Sequence, residues 1–263
     1  MGCGIYKFSL TQTLVLMKKI FTISFFTLLT IACSITITKA QQVYYYDFRN
    51  TFAESSGQGP ALNVLGTGAF VDESLPELSC FSRAVYGFTQ NSGIQFDNAA
   101  AGNFISGTYS IEMYFQFLNN SGFKRLIDFS NQGADTGLYC TSTELLFYDE
   151  VYIPTTAFVA NQYVHLVVTR NDVSKEVSLY VDGAPVGSFT DLNNHAILQS
   201  SNVLNFFLDD TISGGESRPG RIALLKIYDT TLDSANVSDN FNSLETTSSA
   251  LAFESDINST CIA

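Results

Sequence analysis

The chain has 263 residues, with 25 Asp and Glu against 13 Lys and Arg, a formal net charge of −12, five Cys, two His and no Trp. Polyanion binding needs clustered basic side chains. The only tight basic pair near a predicted strand is Lys124-Arg125, so nucleic acid is excluded as a partner.

Taken in chain order, the first 40 residues stand apart from the fold. Lys18 and Lys19 precede an apolar run from Ile20 to Ile37, and Thr38-Lys39-Ala40 sets small residues three and one before Gln41. This is the pattern of a secretory signal cleaved after Ala40, with translation starting at Met17. Two alternatives stay open. The run is about long enough to serve as an uncleaved anchor, although Ser and Thr dilute it, and Ile31-Ala32-Cys33 loosely matches an acylation site, although Thr30 fits one poorly. The expected location is secreted or cell surface, with membrane contact only through an uncleaved or lipidated N-terminus. All 25 acids follow Ala40 while Lys7, Lys18, Lys19 and Lys39 precede it, so cleavage leaves 9 basic residues and a net −16. Such a surface suits solubility outside the cell and divalent-cation binding, and scattered acids also serve simple solvation.

From Val43 to Leu244 there is no linker, repeat or low-complexity run, and about 200 residues suit one all-β domain. Strands are predicted at "VYYYDF", "RAVYGF", "GIQF", "YSIEMYFQF", "FKRLIDF", "GLYC", "ELLFYD", "YVHLVVTR", "VSLYVDG", "VGSF", "NVLNFFL" and "RIALLKIYD". Turn signals such as "NNSG" and "NQGADTG" separate them, and Asp182-Gly183 supplies the positive φ of a tight hairpin. The expected fold is a two-sheet antiparallel jelly-roll sandwich. One short C-terminal helix is predicted in "LDSANVSDNFNSL", capped by Asp233 with Val237, Phe241 and Leu244 on one side. Phe115, Phe117, Phe206, Phe207 and Tyr228 are expected between the sheets rather than on a sugar platform. Residues 245–263 read as a polar tail or the start of a linker. Of the cysteines after Ala40, Cys80 with Cys140 is the expected pair and Cys261 is left over; buried unpaired thiols are the alternative.

The order "YSIEMYFQF", "YVHLVVTRNDVSKEVSLYVDG", "GRIALLKIYDTTLDSANVSDNF" resembles laminin G-like domains of the concanavalin A-like lectin/glucanase type, over about Val43 to Leu244. These motifs are architectural, and the resemblance implies a range of functions: carbohydrate binders, adhesion and receptor-binding modules, pentraxin-like calcium-dependent binders and some glucanases. A glucanase needs two carboxylates about 5–5.5 Å apart for retention or about 6.5–9.5 Å for inversion. On "SIEMYFQF" alternation places Ile111, Met113, Phe115 and Phe117 on one face and Ser110, Glu112, Tyr114 and Gln116 on the other, so Glu112 stands alone there. No G-x-S-x-G turn and no His ligand spacing supports a hydrolase triad or a zinc site, and His165 and His195 read as a strand and a loop residue.

The expected function is therefore a noncatalytic extracellular module recognising carbohydrate or a surface glycoprotein through the outward row Ser110, Glu112, Tyr114 and Gln116. An adhesion or structural role without sugar binding, and less so a glycoside hydrolase, remain as alternatives. Pentraxin-like relatives hold calcium between a loop after an early strand and an acidic segment before the late "G-x-I" strand. The resemblance carries those positions to Asp135 and to Asp209 and Asp210, with Glu216 nearby. Thr136 and Phe207-Leu208 depart from the pattern, which implies weak affinity. Turn-forming roles for the same acids are the plainer alternative.

Overall fold

The computed structural model describes residues 41–75 and 80–251, side chains excepted at residues 80, 81 and 245–251. Residues 1–40, where an export signal with Met17 and Cys33 is expected, residues 76–79, and residues 252–263 with Cys261 lie outside the described residues. Among the described residues no helix is long and apolar enough to cross a membrane.

Among the described residues fifteen strands pair into two antiparallel sheets. The eight-stranded sheet runs β13 (Ala184–Thr190), β12 (Glu176–Val181), β11 (Val164–Arg170), β6 (Tyr109–Phe117), β15 (Gly220–Tyr228), β4 (Cys80–Phe88), β3 (Gly68–Leu75), and β1 (Val43–Tyr46) also pairs with β15. The start of β15 bonds to β4 and its end to β1, around an irregularity between Ile222 and Leu224. The seven-stranded sheet runs β10 (Val151–Pro154), β9 (Glu144–Tyr148), β8 (Gly137–Cys140), β7 (Lys124–Asp128), β14 (Val203–Phe206), β5 (Gly93–Asp97), β2 (Asn63–Leu65). The sequence reading contains neither β2, β3 nor β10; β2 is three residues long, β3 alternates poorly and β10 ends on Pro154.

Period-two alternation delivers Ile111, Met113, Phe115 and Phe117 of β6 and Ile94, Phe96, Leu204 and Phe206 of the facing sheet to one core. Phe207 stacks on Phe88 with centroids 4.3 Å apart and tilts against Phe115 at 5.3 Å. Aromatic bulk thus fills the inter-sheet space at the expected Phe positions. Tyr228 is the exception: it packs with Val167, Tyr180, Leu232 and Val237 on the opposite face of its sheet. Asp182 and Gly183 both take positive φ, and Val181 pairs directly with Ala184, as the Asp-Gly turn requires.

The helix α1 (Ser234–Leu251) is capped by Asp233, whose Oδ1 accepts from Asn236 N at 2.8 Å. It continues past Leu244 into the segment read as tail. Val237, Phe241 and Leu244 pack onto the outer face of the eight-stranded sheet. Cys140 is free and buried, against the expected pairing with Cys80. It belongs to β8 and Cys80 to β4, on different sheets, and burial pushes the Cys140 thiol up to about 12 despite Lys124 nearby.

Candidate functional site

The row Ser110, Glu112, Tyr114 and Gln116 faces away from the inter-sheet core, but none of its members is more than 5% exposed. The outward assignment as a ligand surface is therefore corrected: α1 and the segment leading to it cover Ser110, Glu112 and Tyr114, and Gln116 lies against Glu73 of β3. Ser110 Oγ donates to Thr230 O and accepts from Leu232 N, both at 2.8 Å. Tyr114 stacks on Tyr163 at 5.0 Å in a cluster with Leu244. Gln116 Nε2 reaches Glu73 at 3.4 Å. Glu112 accepts from Lys226 Nζ at 3.0 Å, Tyr228 OH at 2.7 Å and Asn240 Nδ2 at 2.8 Å, with His165 Nε2 at 3.2 Å. Burial alone would raise its pKa; the His165 hydrogen bond, the Lys226 charge and the Tyr228 hydroxyl outweigh it and hold the carboxyl at about 2. Its hydrogen-bonding partners include no carboxylate, so Glu112 is a sealed anchor for α1.

The carboxylates of Asp135, Asp210 and Glu216 do converge, each offering an oxygen within 4.8 Å of the others. Asp210 Oδ1 accepts from Ile212 N and Ser213 N at 2.7 Å, and Oδ2 from Tyr139 OH at 3.1 Å and from Arg125. Tyr139 OH also reaches the Asp135 carbonyl at 2.9 Å. Asp209 is not part of the cluster. Its Oδ2 accepts from Gly215 N at 2.8 Å and Glu216 N at 3.1 Å, which folds the loop and delivers Glu216. Glu216 Oε2 is buried without a partner. Burial, then the charges of Asp135, Asp210 and Asp209, push Glu216 up to about 7, Arg125 offsetting only part.

Sequence reasoning missed Arg125, which it saw only as half of a basic pair. Its guanidinium is fully buried, lies over the Tyr139 ring at 4.9 Å, and donates to Asp128, Ala134 O and Thr136 O as well as Asp210. Three carboxylates with one orphaned oxygen fit a hard divalent cation. Arg125 already neutralises Asp210, which places such a site at the weak end of the range.

Arg125 also begins a row across the seven-stranded sheet. Leu145 and Phe147 point into the core, so Leu146 and Tyr148 point out, and register places Tyr152, Leu146, Tyr139 and Arg125 side by side. Beyond the β7 irregularity the row continues as Asp128, Asn205, Gln95 and Asn63. The amides run in one direction: Asn63 Nδ2 donates to Gln95 at 3.2 Å, Gln95 Nε2 to Asn205 at 2.9 Å, and Asn205 Nδ2 to Asp128 at 3.0 Å. At the other end Tyr152 is 51% and Tyr148 39% exposed. The Tyr152 hydroxyl is raised by partial burial and then by Tyr148, Asp149, Glu144 and Asp135; Tyr139, in the same row, is the residue that bonds to Asp135 and Asp210. Next to Tyr148, His195 Nδ1 lies 2.9 Å from Glu150, tying its loop to the β9–β10 turn. Of the strands in this row, β5, β7, β8, β9 and β14 were recognised and β2 and β10 were not; the alignment that makes it a row is tertiary.

No curated protein sequence matches the chain. Among solved structures it is similar to domain 4 of AbnA, a GH43 extracellular arabinanase from Geobacillus stearothermophilus, in complex with arabinotriose, at TM-score 0.57 and 15% identity over 79% of this chain and 100% of that one. It is also similar to a botulinum neurotoxin type C chain, from a toxin that depends on two ganglioside molecules to enter cells (TM-score 0.56, 14% identity, 78% of this chain, 51% of that). A botulinum neurotoxin DC binding domain in complex with SialylT is similar at TM-score 0.55 and 14% identity, over 78% of this chain and 52% of that. The chain thus spans about half of the toxin chains it matches, and at these identities the likeness is one of fold. The family model of the concanavalin A-like lectin/glucanases superfamily, of laminin G type, matches residues 88–238, more than half of the chain, and the chain belongs to that family.

Proposed function

We propose that the chain is an exported, noncatalytic carbohydrate-binding module whose glycan lies along the outer face of the seven-stranded sheet. The observation that carries this reading is the exposed pair Tyr148 and Tyr152 at one edge of that face; the middle of the row, Leu146, Tyr139, Arg125, Asp128 and Asn205, is buried, and Gln95 and Asn63 reach solvent at the far edge. Aromatic faces take the C–H side of a sugar ring, while amides and carboxylates bond its hydroxyls. The arabinotriose and SialylT complexes of the fold neighbours support sugar as the ligand class, and the leader supports export. Calcium at Asp135, Asp210 and Glu216 would assist by fixing those side chains beside the tyrosines.

The test is a glycan array and polysaccharide pull-down with the mature protein. The Tyr148→Ala, Tyr152→Ala double variant should lose affinity about tenfold at unchanged melting temperature. No glycan hit, alongside capture of a cell-surface protein that the double variant still binds, would replace this reading with adhesion.

One observation favours a second reading. Glu216, raised to about 7, is within 4.8 Å of Asp135, close to the ~5–5.5 Å separation of retaining glycosidases. Reducing-sugar release from an arabinan or β-glucan panel that disappears in Glu216→Gln would establish hydrolysis and overturn the noncatalytic reading.

A further inference from the structure

A cleft of about 310 Å³ opens at one end of the sandwich, between residues 105–107, the β11–β12 connection and the loop leading to β14. This lies at the small end of the ~300–1,000 Å³ range of small-molecule sites. Its apolar side is Ile105, Ile197 and Leu198; Ser106, Asp172, Lys175, Asn194 and Asn202 supply polar groups.

The three segments are held from beneath by one buried ion pair. Arg170 and Asp191 are both fully buried and bond Nε to Oδ2 at 2.8 Å. Arg170 spreads its remaining donors to Gly107 O, to Asp172 Oδ1 at 3.1 Å and to Asn194 Oδ1 at 3.3 Å, one on each segment. Asp191 in turn accepts from His195 N at 2.7 Å and Ala196 N at 3.3 Å. A Cβ at Gly107 would sit 2.4 Å from the Asp172 carboxylate and displace it from Arg170 and Lys175, so glycine here leaves that carboxylate its place. A fully buried guanidinium with bonds to all three walls fixes their polar atoms before any ligand arrives.

The bonding capacity left over defines the ligand. Arg170 and Lys175 both use Asp172 Oδ1, at 3.1 and 2.6 Å, so Oδ2 keeps its acceptor capacity. Lys175 spends one proton on that bond and retains two. Among the described residues, Asn194 Nδ2 and Ser106 Oγ have no protein partner. Donors and acceptors therefore both remain available in a cleft with an aliphatic wall. Hydroxyls match this, since each donates and accepts; an anion meets Asp172 and a cation meets Lys175. We propose that this cleft is a binding pocket for one neutral sugar ring, its C–H face on Ile105, Ile197 and Leu198 and its vicinal hydroxyls between Asp172 and Lys175. The pocket is separate from the tyrosine row, and only the choice of sugars as probes rests on the carbohydrate reading.

The test is titration of isotope-labelled mature protein with glucose, galactose, mannose, arabinose and N-acetylglucosamine, read by amide shifts residue by residue. At least one sugar should shift the amides of 105–107, 172–175 and 194–202 with a Kd of about 1 mM, and Asp172→Ala or the cleft-plugging Ser106→Trp should weaken it about tenfold or more. In the Tyr148→Ala, Tyr152→Ala variant the shifts at 105–107, 172–175 and 194–202 should persist, whatever happens at the tyrosine face. Absence of shifts at ~50 mM, shifts confined to the tyrosine face, or equal shifts with glucuronate or glucosamine would each overturn the assignment. Loss of the cleft shifts with polysaccharide binding intact would leave the tyrosine row standing alone, and loss of polysaccharide binding with the cleft shifts intact would leave the cleft, so the two proposals fail separately.

Discussion

Replacing Glu112 by Gln is expected to cost stability and leave ligand binding untouched. Every neighbour of this carboxylate is a donor: Lys226, Tyr228, Asn240 and, through Nε2, His165. An amide in its place loses the charge and turns an NH2 group toward at least one of them. The gap between an ordinary glutamate at 4.5 and one held at about 2 is worth about 3 kcal/mol of folding free energy. That agrees with the ~3–5 kcal/mol lost when one partner of a buried ion pair is removed. For a domain of this size the loss converts to a melting temperature lower by about 6–12 °C at pH 7. Because the folded pKa is depressed, the contribution is fully present above about pH 4.5 and is lost as pH falls toward 2. The difference between parent and Glu112→Gln should therefore shrink over that window. Calorimetry of both proteins at several pH values decides it. A variant that melts with the parent at pH 7, a difference that persists unchanged in acid, or a folded variant that no longer binds glycan would each refute the anchor assignment.

Three further outcomes follow from the same geometry. In a Cys80→Ser, Cys261→Ser background, Cys140 should resist a thiol reagent in the native protein and react at once in denaturant; rapid native labelling would contradict its burial. Calcium at about ten times its Kd should raise the melting temperature by about 3–6 °C over chelator, an effect absent in Asp135→Asn with Glu216→Gln, and identical melting in all conditions would remove the metal assignment. Gly93→Ala should destabilise by about 3 kcal/mol or more, since its Cβ would fall 1.9 Å from Phe206 O across the β5–β14 pair. Parent-like denaturant unfolding would show that the strands can separate there.

The sandwich was legible because alternation in "YSIEMYFQF", the Asp182-Gly183 turn and the Asp233 cap are local signals that the folded chain uses as written. Cover is not local. The apolar side of α1 was visible in Val237, Phe241 and Leu244, yet nothing in the sequence states that it closes over Glu112 rather than elsewhere, and that choice turned an outward row into a buried one. Neighbours in sequence can also take opposite tasks. Asp209 folds a loop by accepting backbone N–H groups while Asp210 joins the charged cluster, a division set by a chain reversal of a few residues. Arg125 was illegible for the same reason: its partners Asp128, Ala134, Thr136 and Asp210 are brought to it by two separate loops.

The double pairing of β15 has a consequence for the order of events during synthesis. β1, β4 and β6 all wait for one strand that begins at Gly220, and the lid over Glu112 comes only after it. Until the segment from Gly220 to Leu251 is available, a charged carboxylate, a histidine and several tyrosines have no cover, and the central strand has one vacant edge. Closure over such sequence separations is slow compared with local structure formation. In a chain of this design the sheet lacks its joining strand until nearly the whole length has been made, and the last strand and helix lock it.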